Sequence, residues 1–209
     1  HDFFMQPCWH PRGNQVAWIA WDHPSMPWDS SALYLGVLTP GQPLPEMASR
    51  RIMVGEPCGD IAVFQPAFSP DGRYLSYASN ENGWFNLHLL DLSSDERTVL
   101  VAEEAEHGLA AWVHGMRTQA WTEDGRALYF LRAREGFTSL ARFDLRDQTL
   151  HEVQGELRNY TDLTQIAFRV KDRKFFTELL GLLPAVTGAP PVPTSGAVVS
   201  SPPARMSWT

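Results

Sequence analysis

The side chains best suited to chemistry in this sequence are carboxylates and indoles in short polar stretches. Asp22 and Asp29 flank Trp28, Asp60 stands alone, Glu81 precedes Trp84, and Glu103, Glu104 and Glu106 run ahead of Trp112. Acids beside aromatic surface attract a cationic group, such as the free amine of a peptide, and pack what it is attached to. Solvated loops are the simpler account of any one carboxylate. His23 has the chemistry of a general base, but it lies between Asp22 and Pro24 with no serine partner, which favours a loop-shaping role. His10, His107 and His114 have no ligand-like spacing with acids or cysteines, so neither a metal nor a cofactor is expected. Cys8 and Cys58 read as buried free thiols rather than a disulfide.

The composition narrows the class of partner. The 209 residues are 44% apolar and 20% charged, enough for a sizeable core. A net charge of -7 and a pI near 5.4 argue against a protein that grips phosphate backbones, so no nucleic-acid partner is expected. The long uncharged stretch from Leu179 to Ala204 is broken by prolines from Pro184 to Pro203, unlike the roughly 20 unbroken apolar residues of a spanning helix, so no membrane partner is expected either. No leader pattern is visible and the location expected is cytoplasmic. His1 opens directly onto Phe3-Phe4-Met5, which reads as a cut start. The excess of Arg over Lys reads as genomic composition.

These residues must be held by repeated elements. Phe4-Met5-Gln6-Pro7-Cys8-Trp9-His10-Pro11-Arg12-Gly13 aligns with Val63-Phe64-Gln65-Pro66-Ala67-Phe68-Ser69-Pro70-Asp71-Gly72, and more loosely with Gln119-Ala120-Trp121-Thr122-Glu123-Asp124-Gly125. Each segment leads through a turn into an alternating strand such as Tyr74-Leu75-Ser76-Tyr77-Ala78. Third strands are expected at 32–38, 85–92 and 139–145, and fourth strands at 51–54, 98–101 and 150–153. Four short antiparallel strands per unit of roughly 50 residues is the pattern of a propeller blade. A β-sandwich gives no reason for the same turn to recur after an aromatic.

The expected fold is therefore all-β, a partial β-propeller of three to four blades over residues 1–183. Its blades lie near 3–54, 63–101 and 117–153, with a degenerate unit at 160–183 and a Pro-rich tail at 184–209. Trp9, Trp18 and Trp121 fall on strands and are assigned to core packing.

Three stretches resemble the propeller region of prolyl oligopeptidase family serine peptidases, on their acylaminoacyl-peptidase and dipeptidyl-aminopeptidase side. They are Trp18-Ile19-Ala20-Trp21-Asp22-His23-Pro24-Ser25-Met26-Pro27-Trp28-Asp29, then Ser69-Pro70-Asp71-Gly72 with Gly83-Trp84-Phe85-Asn86-Leu87, and Glu106-His107-Gly108 with Trp112-Val113-His114-Gly115-Met116-Arg117. The Pro-Asp-Gly turn is shared by many propellers, whereas the Asp-His-Pro loop closing on Met-Pro-Trp-Asp is specific. Arg12 departs from the usual turn aspartate, and Glu103-Glu104 lack the motif that surrounds the family's substrate-anchoring acids. The resemblance implies a C-terminal α/β-hydrolase domain as partner, bearing a Gly-x-Ser-x-Gly elbow that this chain does not contain.

In a blade, the loop between second and third strands and the link to the next blade share one face. That face collects the candidate rim: Asp22, His23, Trp28, Asp29, Trp84, Glu106, Trp112 and Arg117. The function expected is substrate gating and positioning of short peptides, with no catalytic residue in this chain. A TolB-like module for protein–protein binding is the alternative, and a decayed coding sequence the second.

Overall fold

The computed structural model describes residues 1–39, 47–109 and 116–153. Within them the chain folds into three four-stranded antiparallel sheets, each a meander in chain order. Blade 1 comprises β1 (Phe3–Trp9), β2 (Gln15–Trp21), β3 (Ala32–Leu38) and β4 (Met47–Val54). Blade 2 comprises β5 (Val63–Phe68), β6 (Tyr74–Ser79), β7 (Asn86–Asp91) and β8 (Glu96–Val99). Blade 3 comprises β9 (Gln119–Trp121), β10 (Ala127–Arg134), β11 (Phe137–Asp144) and β12 (Thr149–Val153). The fold is a partial propeller, as the repeats indicate. The fourth unit expected at 160–183 and the tail at 184–209 lie outside the described residues. No helix among the described residues is long and apolar enough to cross a membrane.

Alternation along the strands builds the core between blades. One face of blade 1 sets Met5, Ala17, Ile19, Leu33, Leu35 and Val54 against Val63, Phe64, Leu75, Tyr77 and Leu90 of blade 2. The other face of β6 and β7 sets Ala78 and Leu87 against Phe130, Ala141 and Phe143 of blade 3. Each fully buried Phe or Leu contributes about 1.5–3 kcal/mol. Strand β11 begins at Phe137, ahead of expectation, because Glu135 and Gly136 both take positive φ (52° and 81°) and close a two-residue hairpin from Arg134 to Phe137.

The inner strands carry a second fastening. Strands β1 and β5 break register between Met5 and Cys8 and between Phe64 and Ala67. Gln6 and Gln65 occupy these bulges at φ 51° and 54°, each followed by a proline that has no ladder donor to lose. Gln6 Oε1 accepts the Gln65 N–H at 2.6 Å. One blade on, Gln65 Oε1 accepts the N–H of Thr118 at 2.6 Å and its hydroxyl at 3.0 Å. Gln119 Nε2 returns a bond to the Gln65 carbonyl at 2.5 Å. Each bulge amide thus satisfies the next blade's backbone.

The turns between first and second strands face the other way. In blade 2 the Ser69 hydroxyl donates to Asp71 Oδ1 at 2.6 Å, and the Arg73 N–H donates to the same oxygen. Thr122 and Asp124 repeat this in blade 3. In blade 1, where Arg12 replaces the aspartate, His10 takes over: Nδ1 accepts the Arg12 N–H and Nε2–H donates to the Gly72 carbonyl of blade 2 at 2.9 Å. Gly72 holds φ 74°, and a Cβ there would lie 2.3 Å from His10 Nε2. At the circumference Arg51 and Asp95 form a two-bond ion pair across blades 1 and 2.

Two expectations need correction. Trp9 is 58% exposed rather than core. The equivalent Phe68 and Trp121 both face the blade before them: the ring of Phe68 meets His10, and Trp121 Nε1 donates to the Ala67 carbonyl. Trp9 faces the same way, and no described blade lies there. Cys58 is exposed, because its link runs over the surface of loop 22–31, with Sγ 3.8 Å from the Asp22 carbonyl. Cys8 is half-buried on β1, and desolvation pushes its thiol up to about 12, so it stays protonated. Trp18 and Trp121 are buried as expected.

Replacing Gln65 with Leu keeps the bulk and removes the acceptor, leaving the buried Thr118 N–H unsatisfied. A loss of about 2 kcal/mol in urea unfolding is expected, and an unchanged midpoint would show that the relay carries no stability.

Candidate functional site

The loop 80–85 and the link 101–108 are assembled around Asn86, the first residue of β7. Its Nδ2 donates to the carbonyls of Glu103 (3.1 Å) and Ala105 (2.9 Å), while Oδ1 accepts the Glu103 N–H (2.9 Å) and Asn82 Nδ2 (2.8 Å). The link is then stitched on both sides. Glu106 exchanges backbone bonds of 2.9 and 2.8 Å with Ala133 on β10, and its carboxylate accepts the Phe85 N–H at 2.8 Å. His107 N–H donates to the Phe85 carbonyl at 2.7 Å.

Beneath this lies a half-buried charge network. Glu103 receives two bonds from the Arg132 guanidinium, with Nε at 2.7 Å from Oε1. His107 Nε2 lies 2.8 Å from the same oxygen, and the His107 side chain is 0% exposed. Leu87 N–H points at His107 Nδ1 (3.3 Å), so Nδ1 is the acceptor and Nε2 carries the proton. The Arg132 bonds hold the Glu103 carboxyl below the usual range, and burial pushes the His107 imidazole down. These residues form a support in which His107 is enclosed and the Glu103–Arg132 pair is half-buried.

Above the support is an open cleft of about 450 Å³, lined by Trp84, Glu104, Glu106, Ala133, Arg134, Glu135 and Gly136. Trp84 is 39% exposed, and Glu104 and Glu135 are exposed as well. An indole face among three carboxylates, with Arg134 as the opposing charge, suits a cation carried on an apolar group.

Of the rim residues named from sequence, the cleft gathers Trp84 and Glu106. Asp22 and His23 lie at the start of blade 1: the Asp22 carboxylate accepts from His1 Nδ1 (2.9 Å) and the Asp2 N–H (2.7 Å). The His23 ring stands edge-on to Phe3, and the His23 backbone N–H donates to the Asp2 carboxylate at 3.0 Å. Asp29 closes its own turn by accepting the Met26 N–H at 3.2 Å. Trp28 packs half-buried against the core between blades 1 and 2. Arg117 lies near enough to Cys8 for its charge to act on that thiol. Trp112 and His114 lie outside the described residues. Sequence reasoning missed Arg132, Glu135 and the role of Asn86. The one local signal was the four-residue spacing of Glu103 and His107. Among the described residues no three His, Cys, Asp or Glu side chains converge for a metal ion.

No family model matches the chain. The crystal structure of puromycin hydrolase is 31% identical, with a TM-score of 0.66 over 74% of this chain and 22% of that one. The likeness is to the propeller region of prolyl oligopeptidase family peptidases. A puromycin-hydrolyzing peptidase of Mycobacterium tuberculosis shares the fold of that region, with a TM-score of 0.69 at 24% identity over 77% of this chain and 23% of that one. The dipeptidyl-peptidase 5 of Porphyromonas gingivalis is 23% identical over 164 residues, which are 75% of this chain and 22% of that protein. The chain thus spans about a fifth of the length of the family members it matches.

The support generates a test with a defined pH dependence. Because the Glu103 carboxyl is held low, its contribution is present above the ordinary glutamate value near about 4.3 and is lost as pH falls through its folded value. Glu103→Gln should cost about 2 kcal/mol near neutral pH, and the gap to the parent should narrow below about pH 4. A constant gap in pH-resolved urea unfolding would assign Glu103 a role independent of its charge.

Proposed function

We propose that this chain is part of the propeller of a serine peptidase acting on short peptides, of the acylaminoacyl-peptidase or dipeptidyl-peptidase kind. In this reading the propeller covers the site of a C-terminal α/β-hydrolase domain, keeps folded proteins out and positions the peptide. The similarity to puromycin hydrolase, 31% identical over 74% of the chain, carries the reading. The cleft gives it a chemical form: Trp84 packs the first side chain of a peptide, while Glu104, Glu106 and Glu135 draw its free amine. Asp22 and Asp29 do not line this cleft.

Acyl transfer needs a nucleophile, a base and an oxyanion hole. The 209-residue chain alone should release no nitroaniline from peptide nitroanilides and take no label from a fluorophosphonate probe. Turnover or labelling would sink the assignment of chemistry to another domain.

Positioning is tested by titrating the chain with a short free-amine peptide and its N-acetylated form, following tryptophan fluorescence. The free amine should bind about fivefold or more tightly, equivalent to roughly 1 kcal/mol. Trp84→Ala, or Glu104→Lys with Glu135→Lys, should abolish the difference. Equal affinity for the two peptides would remove the cleft from the reading.

A further inference from the structure

The buried imidazole of His107 occupies a place that a neutral ring satisfies and a charged one does not. Its Nδ1 is an acceptor for the Leu87 N–H at 3.3 Å, and its Nε2–H donates to Glu103 at 2.8 Å. A proton on Nδ1 would set two donors against each other. The segment that carries it has little room to adjust inward: a Cβ on neighbouring Gly108 would lie 2.8 Å from the Ala78 methyl. Outward, the same segment bears Glu106, whose carboxylate holds the Phe85 N–H beside Trp84 and whose backbone holds Ala133.

From this geometry we infer that His107 is an acid-sensitive latch: neutral, it holds link 101–108 against β7 and β10 and fixes the Trp84 cleft; protonated, it loosens the link and reshapes the cleft. The proton comes from solvent and rests on Nδ1; no bond other than the hydrogen bond from Leu87 is lost. The titratable and charged groups facing the ring are Glu103 from its own link, Arg132 from β10 and His88 from β7. Glu103 favours the charged ring, whereas burial, Arg132 and His88 oppose it, and burial is the largest effect. The folded imidazole is therefore held below its unfolded value. The latch's contribution to stability is complete above about pH 6.5 and is lost as pH falls toward the folded value. The switch acts on the cleft assigned to peptide binding, but its readout is the shape of that cleft, so it is judged separately from whether peptides bind there.

The test is an NMR titration of the full chain between about pH 7.5 and 5.5, where exposed carboxylates stay ionised. Signals followed are the His107 and His88 rings, the Leu87 amide and the Trp84 indole N–H, the last assigned through Trp84→Phe. The latch requires Leu87 and Trp84 to shift with the midpoint of His107, and His107→Gln, an uncharged donor and acceptor, to abolish the Trp84 shift. A His107 ring that does not titrate within this range, or a Trp84 signal that stays still while His107 titrates, that follows the midpoint of His88, or that moves unchanged in His107→Gln would overturn it. Should His107→Gln fail to fold, the agreement or disagreement of midpoints in the parent chain decides.

Discussion

The relay from Gln6 to Gln65 to Thr118 is the constraint on which the rest of this structure depends. Bulges release backbone donors from the strand ladder, and buried donors without partners are costly. Here the Gln65 donor released by the β5 bulge and the Thr118 donor just ahead of β9 are each met by an amide from the preceding blade. The apolar faces between blades have no direction of their own and would tolerate sliding. The relay removes that freedom, since a slip of one residue would strand an N–H and an amide oxygen together. Interblade packing, turn contacts and the seating of the links are then built on a register already set at the hub.

The links inherit this order. Once β5 and β9 are fixed against each other, β7 and β10 sit at a defined separation, and link 101–108 spans it through Asn86, Glu103 and His107. The half-buried Glu103–Arg132 pair is a costly way to join two sheets, because both charges lose part of their water. What it supplies is position: two guanidinium bonds and one imidazole bond reach the carboxylate of one link residue, whose own N–H donates to Asn86. Trp84 and Glu106 stand above it as consequences of that placement.

The sequence was legible where the physics is local. Ser69-Pro70-Asp71-Gly72 states its turn within four residues, and the alternation of Tyr74 to Ala78 states a half-buried strand. Thr122 was readable as a looser version because a threonine hydroxyl makes the same bonds as serine. What stayed hidden depended on partners far along the chain. Arg132 is 29 residues from Glu103, and nothing in either neighbourhood names the other. Alternation tells which side chains share a face, but not whether a neighbour covers it, and Trp9 shows the difference. Asp22 shows the same limit, since the donors that hold its oxygens, such as His1, are set by the fold and not by its neighbours in sequence.

The ion pair between Arg51 and Asp95 has a geometric meaning beyond its modest energy. It fastens the outermost strand of blade 1 to the turn that enters the outermost strand of blade 2, while the glutamine relay fastens the two sheets at their innermost strands. Two fastenings at different radii fix an angle, and the angle between successive sheets is the curvature of the arc. The pair is one of the contacts that hold that angle from the outside.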